Sequence, residues 1–129
     1  MYERCVLSEC ELVTMRCVWN LGERATAFNV INMLAEDYGM KYKETTVYTF
    51  LKKLKEKGFV DTKRQGVTYY IPLVDEAAYL KDMAKKLVGF WFNGDTASAV
   101  RAVVEGEYLT RKEVRELKKE LDLCAALGK

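Results

Sequence analysis

Apolar residues recur along the chain at helical spacing in six stretches, each bounded by residues that start or stop a helix. Ser8-Glu9-Cys10-Glu11 has the form of a capping box, in which a hydroxyl and a carboxylate satisfy orphan backbone N–H groups. A first helix follows with Leu12, Met15 and Trp19 on one face and Val18 beside them, and Asn20-Leu21-Gly22 closes it. Thr26 can cap a second helix carrying Val30, Ile31, Leu34 and Tyr38, with Gly39 at its end. The third stretch runs from Glu44 to Gly58. Val47, Phe50, Leu51 and Leu54 fall at i, i+3, i+4 and i+7 and form its packing stripe. Thr45, Thr46, Tyr48, Thr49, Lys52, Lys53 and Lys55 are left facing outward, a surface able to donate hydrogen bonds and attract anions. Gly58 supplies a left-handed cap.

The period then changes. Phe59–Lys63 and Val67–Ile71 read as strands, joined by Arg64-Gln65-Gly66 as a turn, and Pro72 stops the second because it has no N–H for a ladder. Lys63 and Arg64 are thereby expected at the hairpin tip, within reach of a phosphate backbone. Two helices with a short connector, followed by a basic hairpin, make a helix-turn-helix with a wing.

From Asp75 the chain is helical to its end. Asp75 can cap a helix bearing Leu80, Met83, Leu87 and Trp91 that ends at Asn93-Gly94. Gly94 or Asp95 opens a short helix with Val100, Val103 and Val104, closed at Gly106. Thr110-Arg-Lys-Glu113 is a second capping box, for a helix with Val114, Leu117 and Leu121. Three short helices cannot turn all of this inward, least of all Phe90-Trp91-Phe92. The N-terminal lobe or a second copy of the chain could cover the excess; two-fold pairing is preferred because closed dimers are the commonest oligomers. Leu80, Met83, Leu87, Trp91, Val100, Val103, Leu117 and Leu121 are the expected dimerisation residues. The predicted fold is mainly α with a small β-hairpin: a winged helix-turn-helix domain over residues 1–74 and a three-helix dimerisation domain over residues 75–129.

Charge sharpens this division. Residues 1–40 hold three basic and six acidic side chains, residues 41–64 eight and three, and residues 65–129 ten and ten. The net charge of +2 thus hides a basic segment that coincides with the third helix and the hairpin, and local field governs attraction to phosphate. The chain contains no histidine, the commonest general base and metal ligand. Cys5, Cys10, Cys17 and Cys124 have no Cys-x-x-Cys spacing and read as free thiols, so no metal site and no cofactor is expected. Glu9 and Glu11 could pose as an acid/base pair, but they lie in a first helical turn where the helix dipole favours carboxylates anyway. No phosphate loop, dinucleotide fingerprint or nucleophile elbow occurs, which argues against an enzyme. Met1-Tyr-Glu-Arg4 does not begin a signal sequence and no apolar run spans a bilayer, so a cytoplasmic protein without membrane insertion is expected.

These features resemble the penicillinase-repressor (BlaI/MecI) family of winged-helix transcriptional repressors, which includes a copper-responsive branch related to CopY. The likeness is carried by Leu7-Ser-Glu-x-Glu-Leu12 with Val18-Trp19, by Thr46-Val47-x-Thr49-x-Leu51-x-Lys53-Leu54-x-x-Lys57-Gly58-Phe59-Val60, by Tyr69-Tyr70 and by Gly94-Asp95. It implies a homodimer that binds double-stranded DNA at an operator inverted repeat. By position, base reading would fall to Thr45, Thr46, Tyr48 and Thr49, and phosphate contacts to Lys43, Lys52, Lys53, Lys63 and Arg64. Relatives can carry arginine where this chain has Tyr48, and tyrosine cannot make a bidentate contact to guanine. The β-lactam-responsive members are cleaved at an Asn-Phe bond where this chain reads Ala102-Val103, so no regulatory protease is identified. The metal motif of the copper branch is reduced to Cys124 alone. The rival to a sequence-specific repressor is a winged-helix module that binds an acidic protein.

Overall fold

The computed structural model describes residues 7–106 and 109–128; the expectations attached to Met1–Arg4 and to Cys5 lie outside these residues. Among them the element order is α1 (Glu9–Leu21), α2 (Ala27–Tyr38), α3 (Glu44–Glu56), β1 (Val60–Gln65), β2 (Val67–Pro72), α4 (Glu76–Trp91), α5 (Thr96–Gly106) and α6 (Arg111–Ala126), with a 3-10 turn at Gly22–Arg24. This is a winged-helix lobe followed by a helical region. Two compact units divide at Met83/Ala84, inside α4, whereas the sequence changes character at Asp75.

In the first unit the caps form where the side chains dictate. Ser8 Oγ accepts the Glu11 N–H at 3.2 Å and Glu11 Oε1 accepts the Ser8 N–H at 3.1 Å, completing the capping box of α1. Thr26 Oγ1 accepts the Asn29 N–H at 3.2 Å to start α2. Helix α3 ends with Gly58 N–H on the Lys55 carbonyl at 3.1 Å and Phe59 N–H on the Leu54 carbonyl at 2.9 Å. That bond pair is a Schellman motif and needs the positive φ of +83° that Gly58 adopts.

The predicted stripes then meet. Met15 and Val18 of α1, Val30 and Leu34 of α2, and Val47, Leu51 and Leu54 of α3 are all buried, with Phe59 and Val60 closing the core below the hairpin. The start of α4 completes it. Tyr79 packs with its ring centroid 5.6 Å from Phe59 and 5.7 Å from Trp19, and Trp19 Nε1 donates to the Val74 carbonyl at 2.9 Å. Met83 packs against the same core, which is why the unit extends past Asp75. Four buried residues, Glu11, Thr14, Cys17 and Leu21, fall outside the expected stripe of α1. Thr14 donates its hydroxyl to the Cys10 carbonyl at 2.7 Å, which lets it lie inside. Burial, with the nearby Asp37 carboxylate, pushes the Cys17 thiol up to about 11 despite Arg16, leaving it protonated and unreactive.

The hairpin corrects one expectation. β1 and β2 pair antiparallel from Val60↔Pro72 to Gln65↔Val67, so the turn is Gly66 alone and Pro72 is paired rather than outside the strand. Gly66 reverses the chain at φ +76°. Lys63 and Arg64 therefore lie within the ladder, opposite Tyr69 and Thr68, and not at the tip. A third segment joins the ribbon: Thr26 bridges Tyr69, and the Tyr70 N–H donates to the Ala25 carbonyl at 2.8 Å.

The second unit holds the rest of α4 with α5 and α6. Asn93 at φ +50° and Gly94 at φ +81° break the chain between α4 and α5. Asp95 caps α5 by accepting the Ser98 N–H at 3.2 Å and its hydroxyl at 2.8 Å. The capping box of α6 is complete, with Thr110 and Glu113 exchanging bonds of 2.9 and 3.1 Å. Ala99 is the one buried apolar residue among those described in this unit.

Candidate nucleic-acid interface

Helix α3 presents its polar row because Val47, Leu51 and Leu54 are drawn into the core on the opposite side. At 100° per residue, Thr45, Thr49 and Lys52 share the centre of the outward face, Tyr48 and Lys55 turn to one flank, and Thr46 and Lys53 to the other. The tertiary contacts agree with this division. On the first flank Lys55 Nζ donates to Thr62 Oγ1 of β1 at 3.0 Å. Beyond the second flank, Lys57 Nζ lies 2.6 Å from Glu11 Oε1 at the start of α1.

Thr45, Tyr48 and Thr49 are exposed and Thr46 is half-buried. Thr49 donates its hydroxyl hydrogen back to the Thr45 carbonyl at 3.0 Å, so outward it offers a lone pair and a methyl group. Lys52 and Lys53 are exposed one turn further on, and Lys43, also exposed, is the N-cap residue of α3. Lys63 and Arg64 are exposed on the hairpin, but adjacent strand residues point to opposite faces. Arg64 sits on the face of Thr68 and Tyr70 and donates to Thr68 Oγ1 at 3.1 Å. Lys63 sits on the other face with Tyr69. The fold thus brings Arg64 to the Tyr48 flank of α3 and separates it from Lys63.

Between that flank, the start of α2 and the hairpin tip lies a half-open cleft of about 580 Å³, whose lining includes Thr26, Phe28, Tyr48, Arg64, Val67 and Thr68. Among the described residues no carboxylate lines it. The sequence reading missed the contribution of α2. Its signal was Phe28, a large aromatic two residues after the N-cap Thr26 and off the Val30/Leu34 stripe.

Glu11 explains the electrostatics behind α3. It is 4% exposed. Burial alone would resist its ionisation, but the hydrogen bond from Lys57, the Ser8 N–H and the charges of Lys57 and Lys53 outweigh burial and hold its carboxyl below the ordinary value. The ion pair fastens the C-terminal end of α3 to the N-terminal end of α1. It also neutralises one cation of the basic segment. Lys43, Lys52, Lys53, Lys63 and Arg64 enter no ion pair among the described residues. Elsewhere, Cys10 Sγ lies 3.2 Å from the Tyr42 hydroxyl, and Cys10, Cys17 and Cys124 are free thiols. No helix among the described residues is long and apolar enough to cross a membrane.

Of the expected dimerisation residues, Leu80, Leu87, Trp91, Val100, Val103, Leu117 and Leu121 are exposed within the chain, while Met83 is half-buried against the first unit's core. Phe90 and Trp91 pack edge to face with centroids 4.9 Å apart and remain 75% and 70% exposed. Ala102 and Val103 are exposed on α5.

Comparison with known proteins covers both units. The family model described as penicillinase repressor matches residues 7–123. Proteins named methicillin resistance regulatory protein MecI from Staphylococcus aureus (strain N315), Staphylococcus epidermidis and Mammaliicoccus sciuri are each 29% identical over 119 residues, 90% of this chain and 93% of the relative.

Proposed function

The chain belongs to the penicillinase repressor family of transcriptional repressors, and from that premise we propose that it is a homodimer that binds an inverted-repeat operator through α3 and the hairpin. The observation that carries this reading is the outward row of α3 flanked by cations that enter no ion pair among the described residues. Thr45, Thr46, Tyr48 and Thr49 would meet base edges in the major groove. Lys43, Lys52, Lys53, Lys63 and Arg64 would meet phosphates and supply a sequence-independent, salt-dependent affinity. Arg64 contributes from beside Tyr48 and Lys63 from the opposite face of the wing, so the two would reach different phosphates. Each is a monodentate or backbone-directed contact of modest discrimination, which makes the dimer necessary: two copies of α3 about 34 Å apart read two half-sites of one operator.

Dimerisation is assigned to the exposed apolar faces of α4, α5 and α6. No catalytic step is part of this reading. Acting on chromosomal DNA places the protein in the cytoplasm. Tyr48 replaces the bidentate guanine contact that an arginine would make, so the operator differs from that of relatives with arginine there. Ala102-Val103 stands where the β-lactam-responsive members carry the cleaved Asn-Phe bond, so no regulatory protease is identified for this chain.

The experiment is a titration of the full chain with its own promoter duplex and with random duplex across a salt series. Preferential binding to the promoter, with log K falling by about 0.9 per phosphate contact for each decade of salt, is expected. Equal affinity for both duplexes and no salt dependence would sink the reading. Lys53→Ala should weaken binding to every sequence and lower the salt slope by about 1, whereas Thr46→Ala should change discrimination among sequences.

A further inference from the structure

Phe28 is 71% exposed on the first turn of α2, Tyr48 is 47% exposed on α3, and Val67 is 51% exposed at the hairpin tip. A single exposed apolar side chain calls for no explanation, but these three line one cleft. The cleft continues the base-reading row through Tyr48, and among the described residues it has no carboxylate in its lining and carries at its edge the guanidinium of Arg64, which enters no ion pair there. Phe28, Tyr48 and Val67 suit an apolar group, and Arg64 suits an adjoining anion. In the major groove of DNA that description fits the 5-methyl group of thymine with the neighbouring phosphates.

We propose that Phe28, together with Tyr48, packs against the methyl group of one thymine in each half-site, so that part of the sequence specificity comes from α2 in addition to α3. This rests on the DNA-binding reading above. Phe28 supplies ring surface that no threonine of α3 can offer, and Arg64 holds the adjoining backbone so that the methyl is presented to it. Since α2 is anchored by Val30 and Leu34 in the core, the ring is presented on a rigid element.

The test begins with duplexes selected by the full-length wild-type protein from a random-sequence library. Replacing each selected thymine in turn by deoxyuridine removes the methyl and nothing else. At one position per half-site the replacement is expected to weaken wild-type binding about fourfold, the effect of exposing one methyl-sized group. Phe28→Ala, whose thermal midpoint should match wild type because the side chain is exposed, is expected to bind the thymine and deoxyuridine duplexes equally at that position. The same loss in Phe28→Ala as in wild type overturns the proposal, as does a wild-type protein indifferent to deoxyuridine at every position. Phe28→Ala weakening selected and scrambled duplexes by one common factor also overturns it, since that outcome assigns the ring to deoxyribose. A wild-type protein that selects no sequence and shows no salt dependence removes the DNA-binding reading itself, and is told apart from the other failures by that lack of any selection.

Discussion

Helices α3 and α6 carry equally regular apolar stripes, yet they end in opposite states. Val47, Leu51 and Leu54 of α3 are fully buried, whereas Val114, Leu117 and Leu121 of α6 are 37%, 44% and 62% exposed. The difference lies in what surrounds each stripe. In the first unit two further helices, the hairpin and the first turns of α4 converge on one core. In the second unit, among the described residues, only Ala99 is buried. An amphipathic period says which face must be covered; the number of covering elements in the same chain decides whether folding or association covers it.

The contrast can be broken most decisively at Leu117. Leu117→Asp puts a charge on the uncovered face of α6 and is expected to turn a dimer of twice 14.9 kDa into a monomer at micromolar concentration by light scattering. A wild type that is already monomeric would refute the assignment of this face to a second copy. The same kind of change on the covered side acts within the chain. Leu51→Ala should destabilise the first unit by about 3 kcal/mol in urea unfolding through lost burial and a residual cavity.

A smaller effect is expected at the ion pair that anchors α3. Glu11→Gln should lower stability by about 2 kcal/mol, because Lys57 then lacks its carboxylate beside a largely buried partner. The sign with pH follows from the lowered carboxyl. The stabilisation is fully present above the ordinary carboxylate value of 4.5 and is lost as pH falls through the lower folded-state value. Unfolding midpoints from about pH 6 to about pH 3 should therefore drop more steeply for wild type than for Glu11→Gln. Parallel curves would show that Glu11 does not titrate with folding. Least of all, Gly66→Ala forces a side chain onto φ +76° and should cost about 1 kcal/mol in the hairpin while leaving the dimer mass unchanged.

Much of this was legible in the residues themselves. Ser8, Thr26, Asp75, Asp95 and Thr110 mark the helix starts, and Gly39, Gly58 and Gly94 the ends, because capping is local chemistry within a few residues. The stripe of α3 and its polar row followed from periodicity alone, and the family from motif order, which the match over residues 7–123 bears out. The hairpin was legible as a hairpin but not in register: whether Arg64 turns or pairs depends on the partner strand, and pairing carries the ladder up to Gly66.

What only the tertiary structure decided is everything that requires two distant segments to meet. Glu11 is a capping residue in the sequence and, 46 positions away from Lys57, the buried half of a partly buried ion pair in the fold. Tyr79 becomes core because Trp19 and Phe59 flank it from separate elements. The cleft that unites Phe28, Tyr48 and Arg64 draws on α2, α3 and β1, and no spacing along the chain encodes it. Local chemistry determined the elements because their bonds span a few residues; their meeting was decided by how one shared core buries three helices and a ribbon at once.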